Sequence, residues 1–127
     1  MTGKMKFFVS GKVGQAKNAI SVIKRLREAG HEITFDWTTI DHLKPYSENR
    51  IASRRLAIKE CDGVKNSDVL VVIVHKKGIG MFVELGIALA MGIPVRIIAE
   101  EEDQSMFFYH PLVKKVKNIE QVISEFD

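Results

Sequence analysis

Apolar positions recur along this chain with two periods, one typical of buried strands and one typical of amphipathic helices. The pattern predicts five strands, at residues 6–10, 31–36, 68–75, 93–98 and 113–116. It also predicts four helices: the first is closed by Gly30, the second is N-capped by Ser47, the third carries Glu84 and ends at Gly92, and the last begins near Asn118.

Strands and helices alternate throughout, which predicts an α/β fold built on a parallel sheet. With 127 residues, the chain fits one domain that spans residues 1–127. We expect a doubly wound sheet of the flavodoxin-like or Rossmann-like type, with five strands in the order 2-1-3-4-5 and helices on both faces. In that order the loops after strands one and three face one crevice, where open α/β sheets bind their ligands.

Composition narrows the class of partner. The net charge of +3 and the scattered basic residues favour a small anionic ligand and argue against nucleic acid. The single cysteine, Cys61, fits a reducing compartment, and its place on the apolar side of helix two predicts a buried thiol. Neither a secretory signal nor an apolar run of membrane-spanning length is recognisable, so we expect a cytoplasmic protein without a membrane partner.

Glu84 is the most informative single residue, because it is an acidic side chain in an otherwise apolar helix. The pattern places it in the first helical turn, where amide groups and the helix dipole favour an ionised carboxylate. Such a carboxylate can act as a nucleophile or as an anionic ligand. The same position also fits a purely structural carboxylate that complements the helix dipole, so both interpretations stay open.

Other candidate residues lie in the loops at the crevice. Ser10, Gly11, Lys12 and Gly14 lead from strand one into a helix and can cradle an anion, although a plain turn fits them equally well. His75 ends strand three with no second histidine at ligand spacing, so we predict no metal site. Two further histidines are predicted to be surface or turn residues: His31 and His110.

Two segments together carry a resemblance to a known family. They are Asn-Ser-Asp-Val-Leu-Val-Val-Ile-Val at residues 66–74 and Gly-Met-Phe-Val-Glu-Leu-Gly-Ile-Ala-Leu-Ala-Met-Gly-Ile-Pro-Val at residues 80–95. The chain resembles the nucleoside 2-deoxyribosyltransferase family, which includes 2-deoxynucleoside 5-monophosphate N-glycosidases. The resemblance extends over most of the chain, including the turn after strand one and the C-terminal Phe-Phe-Tyr-His-Pro at residues 107–111.

The resemblance implies that Glu84 attacks the anomeric carbon of a sugar and forms a covalent glycosyl ester. The family's partner acid is an aspartate near the end of helix two, and counting back from Asp68 puts Glu60 there, with Asp62 two residues later. Either residue is a candidate acid. Trp37 and Tyr46 are implied to line the base or sugar pocket.

The resemblance also implies that the first loop holds phosphate and that Ser105 contributes to the site of a neighbouring subunit, in a homodimer or higher homo-oligomer. No cofactor is implied. The predicted substrate-binding residues are Ser10, Gly11, Lys12, Gly14, Trp37, Tyr46, Asp68, His75, Gly78, Gly80 and Ser105.

The sequence leaves the choice between hydrolysis and transfer open, as well as the base and the sugar. Two further functions compete with nucleoside or nucleotide cleavage. One is an NAD-cleaving hydrolase similar to TIR-like enzymes, which also use a glutamate on a glycosidic carbon. The other is a non-catalytic nucleotide-binding module, which the glutamate at position 60 keeps in contention.

Overall fold

The computed structural model of the chain describes residues 4–12, 16–41, 43–75, 78–99 and 104–127. Five parallel strands form one sheet in the order β2-β1-β3-β4-β5, which confirms the predicted doubly wound α/β fold. The strands are β1 (Lys6–Ser10), β2 (Glu32–Ile33), β3 (Val69–Ile73), β4 (Val95–Ile98) and β5 (Val113–Val116). The helices are α1 (Ala16–Glu28), α2 (Arg50–Lys65), α3 (Gly80–Met91) and α4 (Ile119–Phe126).

The core is the centre of this sheet with helices against both faces. β1 and β3 pair along their length, with Phe8 opposite Leu70 and Ser10 opposite Val72, and these strands are almost wholly buried. α1 packs beside α4, and α2 packs beside α3 on the other face. Since both faces are covered, the central strands are continuous apolar runs, as in other parallel sheets.

β2 is much shorter than the predicted strand at residues 31–36, because tertiary contacts redirect the chain. The Thr34 amide still donates to Phe7 O, but its hydroxyl donates to Gly63 O in α2 at 2.7 Å. Asp36 then caps a short 3-10 helix, Trp37–Thr39, by accepting from the Thr38 amide. These bonds end the strand before its apolar pattern ends.

The predicted N-cap of helix two is also wrong. Ser47 lies inside a 3-10 helix, Tyr46–Glu48, and α2 begins at Arg50 after Asn49. The Asn49 amide group makes no cap bond and instead donates to Leu43 O and Pro45 O, at 2.8 and 3.2 Å. The side chain of Asn49, the last residue before α2, therefore holds the preceding loop in place.

Gly63 lets α2 approach the sheet closely. A Cβ at this position would lie 2.9 Å from the Phe8 ring and 3.0 Å from the Phe35 Cβ, which is closer than side chains tolerate. The glycine thereby fixes the depth at which the end of α2 sits on β1. Glu60 lies one turn earlier on the same helix, so its position depends on this contact.

Two side chains are placed differently from their predictions. His31, predicted at the surface or in a turn, is buried with its ring edge-on to Phe7, and its Nδ1 accepts from the Met5 amide. The Cys61 thiol, predicted to be buried, is only half-buried. Within the described ranges, no helix has the length and apolar character that crossing a membrane requires.

Candidate active site

A buried acidic residue and a buried serine meet at the carboxyl edge of the sheet. Ser10 is the last residue of β1 and is 0% exposed, while Glu84 on α3 is 7% exposed. The Ser10 hydroxyl donates to Glu84 Oε1 at 2.5 Å, across 74 positions of sequence. This bond joins the first strand to the third helix at the edge where doubly wound sheets bind ligands.

Glu84 lies deeper in its helix than the sequence predicts. α3 begins at Gly80, so Glu84 is in the second turn, and the first turn holds no acidic residue. The influence of the helix dipole declines beyond the first turn. The interpretation of Glu84 as a carboxylate that complements the helix terminus therefore does not describe this fold.

The electrostatics of the site argue against the prediction that Glu84 is ionised. Burial raises the pKa of Glu84 to about 9, and a hydrogen bond and charge repulsion from Glu60 act in the same direction, while the Ser10 hydroxyl lowers it. Glu84 therefore holds a proton at neutral pH. Two interacting carboxyls titrate as a pair, so this proton belongs to the Glu60–Glu84 dyad.

Glu60, and not Asp62, reaches Glu84. Glu60 is half-buried on α2 and shares the hydrogen bond with the Glu84 carboxyl. Asp62 lies about 200° further around the helix, because each residue turns an α-helix by about 100°. Its side chain is exposed. Of the two candidate acids, the structure brings only Glu60 to the dyad.

A pocket beside the dyad gathers the two predicted aromatic residues. Glu60 lines it together with Trp37 and Tyr46. The Trp37 indole N–H donates to Val9 O at 2.7 Å, which anchors the ring against β1, whereas Tyr46 is 50% exposed with the Lys44 ammonium 5.8 Å from its ring centroid. Sequence reasoning missed four further lining residues: Ile40, Asp41, Leu43 and Leu56. Of these, only Leu56 carried a signal, since it is four residues before Glu60 on the same helix face.

Two described residues of the loops after β1 and β3 influence each other electrostatically, Lys12 and His75. Burial and the positive charge of Lys12 both lower the pKa of His75, burial more strongly. The His75 imidazole fills the space beside Gly78, where a Cβ would lie 2.6 Å from its Nε2. Gln104, which sequence reasoning missed, donates to His75 O at 3.1 Å. Lys12 is exposed, so it extends positive charge to the mouth of this crevice.

The glycines of the predicted site differ in their surroundings. At Gly11 a Cβ would make ordinary contact with Ala19 and Trp37, at 3.6 Å each, and at Gly80 it would meet open space. Gly11 therefore sits against Trp37 without requiring a glycine for room. Gly14 lies outside the described residues.

Two solved structures share this fold over nearly the whole chain. The structure of Clostridium botulinum CMP N-glycosidase, BcmB, has a TM-score of 0.65 at 17% identity and covers 94% of this chain and 96% of that one. A conserved protein from Enterococcus faecalis V583 has a TM-score of 0.68 at 16% identity and covers 98% of both chains. Neither a known protein family nor a curated protein matches the sequence. At these identities the likeness shows a common fold.

Two predicted site residues lie apart from the dyad. Asp68 precedes β3 at the opposite edge of the sheet, where its carboxylate accepts from the Lys6 amide at 2.8 Å. This supports the capping interpretation of Asp68. Ser105 caps a 3-10 helix, Met106–Tyr109, by accepting from the Phe107 amide, and it lines an apolar groove with Phe82 of α3. Among the described residues, no three His, Cys, Asp or Glu side chains gather as metal ligands.

Proposed function

We propose that this protein cleaves, or transfers from, the N-glycosidic bond of a nucleoside or nucleoside 5-monophosphate. The observation that carries the proposal is the dyad of buried Glu84 and half-buried Glu60 at the carboxyl edge of the sheet. A pair of carboxyls is the equipment of retaining glycosidases, which need one nucleophile and one acid. The CMP N-glycosidase from Clostridium botulinum, whose fold is similar, supports the same class of bond.

In the first step, the shared proton passes to Glu60 as substrate enters, and Glu84 becomes the carboxylate. A Glu84 oxygen then bonds to the anomeric carbon while the bond from that carbon to the base nitrogen breaks. The electron pair of that bond goes to the base, and Glu60 delivers the proton to it. The products are the free base and a glycosyl ester on Glu84.

The second step regenerates the dyad. Water, deprotonated by Glu60, attacks the anomeric carbon and releases Glu84 as a carboxylate, which gives hydrolysis. If a second base enters instead, the same ester gives transfer. Both outcomes need a single pair of carboxyls, so the dyad fits either reaction.

Substrate binding has to open the dyad. Carboxyl groups of retaining enzymes stand about 5 to 5.5 Å apart with the sugar between them. Here the Glu60 carboxyl acts on the pKa of Glu84 through a hydrogen bond as well as through its charge. We therefore expect the sugar to enter through the pocket that Glu60 lines and to separate Glu60 from Glu84. Trp37 and Tyr46 then contact the base or the sugar.

Phosphate recognition falls to the other side of the crevice. Lys12 offers an exposed positive charge beside His75, on the loops that follow β1 and β3. A 5-phosphate bound there leaves the anomeric carbon facing the dyad. This arrangement favours a monophosphate over a free nucleoside.

We also propose a homodimer or higher homo-oligomer in which Ser105 serves a neighbouring subunit. Within one chain Ser105 lies on an apolar groove, and its side chain caps the local 3-10 helix. Light scattering of the purified protein measures the oligomeric state. If subunits share a site, mixing Glu84→Gln and Ser105→Ala proteins under exchange conditions restores activity that neither variant has alone.

The deciding experiment incubates the protein with ribonucleosides, deoxyribonucleosides, their 5-monophosphates and NAD, and measures released base by mass spectrometry. Intact mass after acid quenching detects the glycosyl ester, and peptide mapping assigns it to a residue. Glu84→Ala should release no base and form no ester. Glu28→Gln, an exposed change on α1, is the matched control and should behave as the wild type.

Other outcomes identify the competing functions. Base release that persists in Glu84→Ala overturns the proposed chemistry. Nicotinamide release from NAD alone assigns the chain to NAD cleavage. Nucleotide binding without any product identifies a binding module.

A further inference from the structure

Ser10 makes its hydrogen bond from a fully buried position. Its side chain is 0% exposed, so the hydroxyl is closed off from the crevice that the loop after β1 borders. The bond to Glu84 Oε1, at 2.5 Å, lies entirely inside the protein. A phosphate in the crevice would meet Lys12 and not this hydroxyl.

The hydroxyl is not needed to hold β1 in the sheet. Ser10 pairs with Val72 through the backbone, and the three preceding residues of β1 are also paired with β3. An alanine or valine at this position would keep the same ladder. The side chain therefore adds a contact to α3 that the strand itself does not require.

We propose that Ser10 is a positioning residue of the dyad, which holds Glu84 Oε1 and leaves Oε2 to share the proton with Glu60. The proposal rests on the function proposed above, but the bond it describes exists with or without turnover. A donated hydroxyl proton stabilises the carboxylate form more than the neutral acid. Ser10 thus makes it easier for Glu84 to release its proton at the moment when it becomes the nucleophile.

Among the described residues, two side chains change the pKa of Glu84. Glu60 on α2 is the described titratable residue whose charge opposes ionisation of Glu84, and Ser10 on β1 is the donor that favours it. Lys12 and His75 lie on the neighbouring loop and strand, and the charge of Lys12 acts on His75. Removing the Ser10 hydroxyl therefore changes the pKa of Glu84 without removing a charged group.

The test compares Ser10→Ala with the wild type by carbon NMR of labelled glutamate carboxyls across pH, assigned with Glu84→Gln. Loss of a hydrogen bond to a charged group should raise the measured pKa of Glu84 by about 1 to 2. On a turned-over substrate, kcat should fall about 10- to 100-fold. KM should stay near that of the wild type, since Ser10 does not touch the substrate. The alkaline shift should also appear in the pH profile of kcat.

Ser67→Ala is the matched control, because Ser67 is a buried serine whose hydroxyl donates to Val64 O at 2.7 Å. It should lower Tm without moving the Glu84 titration. Ser10→Thr keeps the hydroxyl and should restore the wild-type pKa. If Ser10→Ala does not fold, Ser10→Cys preserves the volume with a weak donor and should show the same shift.

An unchanged Glu84 titration in Ser10→Ala overturns the positioning role. A raised KM for monophosphates with unchanged kcat also overturns it, because that result would make Ser10 a phosphate contact. If the substrate panel gives no product, the proposed function fails, while the NMR comparison still decides the role of Ser10.

Discussion

Two charged pairs lie on opposite faces of the same sheet, and they are built in opposite ways. Arg96 on β4 is 6% exposed and binds Glu125 of α4, with Nη2 to Oε1 at 2.5 Å and Nε to Oε2 at 2.9 Å. Glu84 on α3 is equally buried but meets a second carboxyl, that of Glu60. One pair joins opposite charges, and the other joins groups that repel when both are ionised.

The first pair stabilises the fold electrostatically, whereas the second destabilises it. Hydrogen bonds from Arg96 lower the pKa of Glu125, although partial burial opposes them, so this carboxylate is held in its charged form. Burial and Glu60 raise the pKa of Glu84. The first pair is explained by folding alone. The second costs stability and lies at the edge where open α/β sheets bind their ligands, which is the combination expected of a functional site.

The largest expected effect is on the rate of base release, when the carboxylate of each pair is replaced by the amide of the same shape. Glu84→Gln should reduce base release by about 10³-fold or more, because this change removes the proposed nucleophile. Glu125→Gln should leave the rate per folded molecule near that of the wild type. Steady-state kinetics on the substrate identified from the panel measures both, with circular dichroism to establish the folded fraction. Comparable losses in the two variants would erase the functional distinction between the pairs.

The pH dependence of stability should differ in sign between the two pairs. The folded pKa of Glu84, about 9, lies above its ordinary value of 4.5, so its stabilising contribution is complete below pH 4.5 and is lost as pH rises toward 9. Glutamine at position 84 cannot ionise. As the pH rises from 5 to 8, the free energy of unfolding of Glu84→Gln should therefore increase relative to that of the wild type by about 2 to 4 kcal/mol.

Glu125 behaves in the reverse sense. Its folded pKa is lowered, so its contribution is present above the ordinary value and is lost as pH falls through the folded pKa. Urea denaturation at several pH values measures both trends. If the stability difference between Glu84→Gln and the wild type does not grow with pH, Glu84 is not protonated in the folded protein.

A smaller effect at neutral pH is expected on the stability of the protein when the Arg96–Glu125 pair is broken. Glu125→Gln leaves the Arg96 guanidinium buried without its carboxylate, which should lower the free energy of unfolding by about 1 to 3 kcal/mol. This loss is smaller than the loss expected for a fully buried ion pair, because the Glu125 side chain is 33% exposed. Denaturation in urea at pH 7 measures it, with Glu28→Gln as the exposed control. A change no larger than that of the control would make the pair energetically neutral.

Local pattern was enough to predict much of the frame. The bounds of β1 and β5 and the helix end at Gly92 follow from apolar periodicity and turn residues. The strand order was predicted because 2-1-3-4-5 is the common arrangement of small doubly wound sheets, and the fold confirms it. β2 could not be predicted at its true length, because the Thr34 hydroxyl leaves the strand to bind Gly63 of another element. The strand propensity of residues 31–36 contains no information about a hydrogen-bond partner on another element.

The candidate site divides in the same way. Glu84 was visible as a carboxylate among apolar neighbours, and Glu60 followed from the resemblance and its spacing before Asp68. Their mutual contact, and with it the protonated state of Glu84, depends on how α2 and α3 pack. Ser10 was predicted at the right edge but for phosphate, since nothing local reveals a bond across 74 positions. Arg96 was missed because its partner lies 29 residues later.

A second cation, Lys12, extends the comparison and has the smallest expected effect. Lys12, unlike Arg96, forms no ion pair among the described residues, and it lies at the crevice beside His75. If its charge binds a phosphate, Lys12→Ala should raise KM for a nucleoside monophosphate about fivefold and leave KM for the free nucleoside unchanged, since an exposed charge contributes about 1 kcal/mol. Lys24→Ala, on the exposed side of α1, is the control and should affect neither substrate.

High salt should reduce the difference between the wild type and Lys12→Ala, because screening weakens an exposed charge far more than a buried one. The effects of Glu84→Gln and Glu125→Gln should change little under the same conditions. Equal loss of both substrates in Lys12→Ala would remove phosphate from the role of this loop. The dyad would still distinguish this site from the opposite face of the sheet, because there the guanidinium of Arg96 neutralises the carboxylate of Glu125.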